Sequence, residues 1–177
     1  MAEPSTNTTP EQVIAPIVTS THPANQPLRI VVVGAGGTGG RLIPALMQIV
    51  RRGDSVAIVD GDHVEDRNLA RQTFRTRDIG ENKAEIMARR YRREGIRVDA
   101  FATMLSAGNW ADIFTQGPGR AIILGCVDNW AARQVMHEIN LNTESIWIDA
   151  GNERRGGQVI LSASRWPFRV KGLMPGN

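Results

Sequence analysis

Six residues constrain this chain more than any others. Gly34-Ala35-Gly36-Gly37-Thr38-Gly39 follows the apolar run at residues 28–33 and opens a helical period. G-x-G-x-x-G between a strand and a helix is a phosphate loop. Glycine lets the backbone turn tightly and approach a phosphate with no Cβ in the way. The helix amino terminus adds free N–H groups and partial positive charge. Asp60 closes the next β-branched run, where a carboxylate can accept hydrogen bonds from ribose hydroxyls. Strand, turn, helix and acid together point to an adenine nucleotide and leave NAD and ATP both open.

Around this loop the chain alternates short β-branched runs with helical periods. The runs lie at residues 28–33, 55–59, 96–102, 121–126 and 145–150, and their near-continuous apolar character suits strands buried on both faces of a parallel sheet. Leu42, Ala45, Leu46 and Ile49 share one face of a first helix, with Pro44 expected to kink it. Ala84, Met87, Ala88 and Tyr91 share a face of a second, and Ala132, Val135, Met136 and Ile139 mark a later one. Asp78-Ile79-Gly80-Glu81 has capping-box form for the second helix, and Gly95 is placed to end it. A last run at 158–163 follows Gly156-Gly157 too closely for a helical crossover, so it is expected to pair antiparallel with the strand before it. The fold class is therefore α/β: a Rossmann-like, doubly wound, mostly parallel sheet with an antiparallel edge strand. Residues 1–27 hold five of the nine prolines among Ser, Thr and Asn and read as a flexible arm preceding one nucleotide-binding domain over 28–177.

Composition narrows the class. Hydrophobic residues at 41% suffice for one core, and a net charge of +3 is too mild to argue for nucleic acid. The single cysteine excludes an internal disulfide and a Cys-rich zinc site. No apolar run approaches the ~20 residues of a membrane span, and no basic n-region precedes Arg29, so a soluble cytoplasmic protein is expected.

The stretch from Asp60 to Gln72 chooses between cofactors. A dehydrogenase would usually return quickly to its second helix after the ribose acid. Here a long crossover intervenes, carrying Asn68, Arg71 and, beyond it, Lys83. An arginine and a lysine beyond a phosphate loop suit a triphosphate. Lys83 also sits in a first helical turn, where a cation opposes the macrodipole unless an anion compensates it.

Taken with Asp60-x-Asp62, Asn68-Leu69-x-Arg71-Gln72, Asp78-Ile79-Gly80, Lys83-Ala84 and Cys126-Val127-Asp128-Asn129 with Arg133, the chain resembles the ThiF/MoeB/HesA adenylyltransferases, the superfamily of ubiquitin-activating enzymes. Asp149-x-Gly151-Asn152 and Gly157-Gln158-Val159 look closest to the ThiF-like members of PRTRC systems. The resemblance implies ATP and Mg²⁺ as cofactors, and a small ubiquitin-like protein ending in Gly-Gly as partner, its terminal carboxylate attacking the α-phosphate. It implies that Gly34, Gly36, Gly37 and Gly39 form the phosphate loop, that Asp60 holds the ribose, that Asn68, Arg71 and Lys83 bind phosphates with Gln72 beside them, and that Asp128 holds Mg²⁺. Arg71, Lys83 and Asp128 would then carry the chemistry, in a homodimer.

Three departures qualify it. Residues 1–28 contain no arginine of the kind family members pass into a partner's site, with Arg154 and Arg155 the available substitutes. The family's paired zinc cysteines are absent, and the chain stops where later strands would follow, so an incomplete domain is expected. A non-catalytic nucleotide-binding module of the same fold is the alternative function. Asp128 could also cap the helix after it, Cys126 reads as a buried thiol, His63 as an exposed loop residue, and Arg89, Arg90, Arg92 and Arg93 as a solvated, ion-paired face.

Overall fold

A computed structural model describes residues 26–115, 121–152 and 157–163. Six strands form one sheet in the order β3-β2-β1-β4-β5-β6: β1 (Arg29–Val33), β2 (Ser55–Val59), β3 (Arg97–Phe101), β4 (Ala121–Gly125), β5 (Ile146–Asn152) and β6 (Gly157–Ala163). The first five run parallel, with Val33 level with Val59 on one side and Gly125 on the other. β6 pairs antiparallel with β5, Ile148 opposite Leu161, as the short 150s connection requires.

Helices cover both faces. On one, α1 (Gly39–Ile49) and α3 (Lys83–Tyr91) bury Ile43, Leu46, Ile86 and Met87 against Ile30, Val32, Val56 and Ile58. On the other, α4 (Trp110–Thr115) and α5 (Trp130–Asn142) bring Ile113, Met136 and Ile139 onto Val31, Val33 and Ile123. Each such side chain withdrawn from water contributes about 1.5–3 kcal/mol. Arg29 is also fully buried. Its guanidinium reaches Asp99 at 2.9 Å, Ser55 Oγ at 3.3 Å and the Ile113 carbonyl at 2.8 Å, tying β1, β2, β3 and α4 together.

Three local expectations need correction. The first helix buries Ile43, Leu46, Met47 and Val50, while Ala45 is exposed and Ile49 is 76% exposed. The true stripe is turned by one residue from the one expected. The 78–81 capping box does not open α3. Asn82 does, its side chain accepting from the N–H groups of Ala84 and Glu85 at 2.9 and 3.1 Å. Gly80 is the reason: its φ of +86° breaks the path from Asp78 into the helix. Nor does Gly95 directly end α3, which stops at Tyr91. Gly95 (φ +77°) instead shapes the turn into β3. Residues 1–25 of the expected arm, and Arg154 and Arg155, lie outside the described residues.

Candidate functional site

Parallel strands diverge at a topological switch point, and open α/β sheets bind ligands there, beyond the strands' carboxyl ends. In this sheet that point lies between β1 and β4. A cleft of about 1670 Å³ opens at it, lined by the glycine loop, the crossover after β2 and the segment after β4. Of the residues expected to form a site, Gly34, Gly36, Gly37, Asp60, Asn68, Arg71, Gln72, Lys83 and Asp128 all line it. Gly39 does not. A Cβ there would stand 1.8 Å from the Gly34 carbonyl oxygen, so Gly39 serves the close approach of α1 to its own loop. Gly34 takes φ +94°, where a side chain is strained.

Asp60 organises the loop. Its two carboxylate oxygens accept from the Ala35 N–H at 2.7 Å and the Asp62 N–H at 2.8 Å, joining the phosphate loop to the crossover. Burial pushes this carboxyl above the ordinary range, against those two N–H groups and the Lys83 ammonium, which favour its charged form. A short helix, α2 (Asp66–Leu69), follows in the crossover. Asn68 is buried in it, its side-chain oxygen accepting from the Glu65 N–H at 2.9 Å. Arg71 stands exposed at the cleft, and Gln72 lies beside Gly36 with its side-chain oxygen buried and unbonded among the described residues.

Lys83 corrects the sequence argument in part. Its ammonium is buried and meets Asp62 at 2.9 Å, so the anion that offsets its helix-terminal position belongs to the chain itself. After β4, Asn129 and not Asp128 caps α5, accepting from the Ala132 N–H at 2.8 Å. Asp128 is left exposed at the cleft. The loop carrying it is held from behind: Arg133 donates to the Val127 carbonyl and to the fully buried Asp149, each at 2.8 Å. Burial raises the Asp149 carboxyl and Arg133 opposes the rise. The thiol of Cys126 is pushed up to about 12, first by burial and then by Asp149, so it stays protonated at neutral pH and is a poor nucleophile.

Among the described residues no group of three or more His, Cys, Asp or Glu could hold a metal. That excludes a cage built from protein ligands among those residues, but not a magnesium ion bound chiefly through substrate phosphates, which needs only one or two carboxylates. The motif reading did not single out Arg41, which also lines the cleft from the first turn of α1. A cation in a helical first turn with no acidic residue beside it was the signal available.

Known proteins decide the family. The model of the ThiF family matches residues 24–166. The chain belongs to the ThiF family. This ThiF-family chain is 33% identical over 138 residues to the adenylyltransferase and sulfurtransferase UBA4 of Saccharomyces cerevisiae, covering 75% of the chain and 30% of the yeast protein. It is 27% identical to the sulfur carrier protein ThiS adenylyltransferase of Escherichia coli over 78% of the chain and 54% of that protein. The chain thus spans about half or less of these relatives' lengths. Among solved structures, the E. coli tRNA N6-threonylcarbamoyladenosine dehydratase in complex with ATP superposes with a TM-score of 0.60 at 25% identity, covering 70% of this chain and 51% of that one. The shared fold is the mostly parallel sheet with its antiparallel edge.

Proposed function

We propose that this chain adenylates the C-terminal carboxylate of a small ubiquitin-like or sulfur-carrier protein at the expense of ATP, releasing pyrophosphate. One observation carries the reading. A single cleft at the switch point gathers the glycine loop, Asp60, Asn68, Arg71, Lys83 and Asp128. The adenylyltransferase names of relatives similar to this chain support it.

The loop receives the triphosphate against backbone N–H groups. At Gly37 no atom outside its immediate chain neighbours lies within 4 Å of where a Cβ would stand, which leaves room for a ligand. Asp60 faces the ribose with the lone pairs its two backbone donors leave. An oxygen of the partner's terminal carboxylate attacks the α-phosphorus and forms the C–O–P bond. The bond from that phosphorus to the α,β-bridging oxygen breaks, and pyrophosphate leaves with the electron pair. Negative charge grows on the phosphoryl oxygens; Arg71 is the exposed cation placed to offset it, and Lys83 joins it by exchanging Asp62 for a phosphate oxygen. Asp128 would hold magnesium, which supplies further charge neutralisation at the phosphates. A partner ending in Gly-Gly is part of this proposal, and it rests on the resemblance to the ubiquitin-activating superfamily.

A homodimer is part of this reading. It is supported by the exposed edge strand β6, where Val159 is 74% and Leu161 43% exposed on the same face of the sheet.

The test is exchange of labelled pyrophosphate into ATP, with and without a candidate Gly-Gly protein, followed by intact mass of that protein. Exchange that depends on the carrier, with a mass gain of one adenylate, is the expected result. Tight ATP binding with no adenylate on any carrier tried would instead identify a non-catalytic nucleotide-binding module.

A further inference from the structure

Five cationic side chains line the cleft: Arg41, Arg67, Arg71, Lys83 and Arg133. Three are already neutralised by the chain. Lys83 pairs with Asp62 at 2.9 Å, Arg133 with Asp149 at 2.8 Å, and Arg67 with Glu65 through a 3.0 Å hydrogen bond. Arg41 and Arg71 are exposed, and among the described residues neither makes an ion pair or a side-chain hydrogen bond. Arg71 lies just past α2 in the crossover and is placed at the transferred phosphate in the proposed reaction. Arg41 is assigned to nothing.

Its position is against local preference. Arg41 sits in the first turn of α1, a turn without any acidic residue, at the positive end of the helix dipole. Its backbone N–H is already bonded to the Thr38 carbonyl at 3.1 Å, so only the side chain is available to a ligand. An unpaired guanidinium beside a loop built for phosphates gains most from an anion with several oxygens, which its planar fork binds at two points.

We propose that Arg41 is a further polyphosphate-binding residue, which grips the β- and γ-phosphates of ATP and, after transfer, the pyrophosphate product. The inference rests on the nucleotide reading of the cleft and adds a specificity to it. Arg41 distinguishes tri- from monophosphate, so it favours ATP over AMP and contributes nothing to the α-phosphate ester that remains. Since the other lining cations apart from Arg71 are neutralised from within, much of the cleft's discrimination by charge falls on these two arginines.

Calorimetry of the purified chain and of Arg41→Ala and Arg41→Lys, each with ATP-Mg, AMP and inorganic pyrophosphate, tests it. Arg41→Ala is expected to weaken ATP and pyrophosphate about tenfold or more, the ordinary size of a lost charged hydrogen bond. AMP should bind it within about twofold of the parent, and the lysine variant should recover part of the loss. Arg41→Ala binding ATP as the parent does would overturn the assignment. So would an equal loss for AMP and ATP, which would mean a distorted loop and not a lost phosphate contact. Failure of the parent chain itself to bind ATP is a different result: it removes the nucleotide reading, and this inference with it.

Discussion

Asp128 and Cys126 set two candidate reactive groups two residues apart, and their surroundings assign them opposite fates. The carboxylate is exposed at the cleft and relieved of capping duty by Asn129, while the thiol is held protonated by burial and by Asp149. Asp128→Ala should therefore lower metal-dependent pyrophosphate exchange by roughly 100- to 1000-fold, or ~2.7–4 kcal/mol, the usual loss for one charge-stabilising group. Cys126→Ser should leave exchange near the parent rate. If the serine variant is the inactive one, the roles are reversed. At this scale most of the residues named by the motifs do line one cleft, because glycine, carboxylate and cation each have a reason to be where they are. What they missed is pairing. Lys83 looked from the sequence like a cation awaiting a ligand, and Asp62, twenty-one positions earlier, already supplies the anion. Periodicity carries no information on such a contact, because it is set by how the crossover folds back on the helix.

The same limit governs whole elements. The strand reading holds best for β1 and β2, whose residues are buried on both faces, while β3, at the edge of the sheet, is exposed or half-buried along its length and not buried as expected. The first helix was legible as a helix but not in its orientation. Leu42, Ile43, Leu46, Met47, Ile49 and Val50 form an apolar arc over nearly half of the helix surface, wide enough for two stripes one residue apart, and the sheet selects the one through Ile43. Its proline is accommodated by tertiary structure. Pro44 cannot donate to the Gly40 carbonyl, and the Thr73 hydroxyl makes a long 3.4 Å contact with that oxygen instead. The arginines of α3 do ion-pair, but with neighbours that sequence spacing did not name: Arg89 with Glu81 at 2.7 Å and Arg90 with Asp78 at 2.6 Å.

The last of these pairs gives a pH dependence. Burial works to raise the Asp78 carboxyl, but the Arg75 N–H at 2.7 Å and the Arg90 guanidinium outweigh it and hold the group below its ordinary 3.8. A depressed carboxyl gives stability that is complete above its unfolded value and is lost as pH falls through the folded one. Asp78→Asn should cost about 1.5–3 kcal/mol at pH 7, the range for a hydrogen bond to a charged group. That gap should close as the pH falls below about 3.8. Asp60 and Asp149 are raised by burial and act in the opposite sense, so the comparison must be between parent and variant at each pH. Urea midpoints at pH 7 and pH 3 measure it. An undiminished gap at pH 3 would show that the ion pair is not the source.

Across the whole molecule, the sheet order does what no motif can: placing β4 beside β1 brings Asp128 to the loop that follows Val33, although ninety-odd residues separate them. The sequence supported that order only through the parallel-strand rule and the short turn before β6. It placed the last strand at an edge but did not say which of its side chains are covered. The structure gives β6 no strand on its outer side among the described residues, with Val159 and Leu161 exposed along one face of it. An exposed edge with apolar side chains is a liability that proteins normally cover. A second copy related by a two-fold axis can cover it with the same patch on both sides. The chain should accordingly sediment as a dimer, and the double variant Val159→Glu, Leu161→Glu as a monomer. Neither residue lines the cleft at the switch point, so a variant of the ATP-binding chain proposed here should still bind ATP as the parent does. A parent chain that sediments as a monomer would remove the homodimer from the proposed function. A variant that stays dimeric would move the interface away from β6. Loss of ATP binding together with the dimer would mean that the second copy completes the cleft and does more than cover an edge.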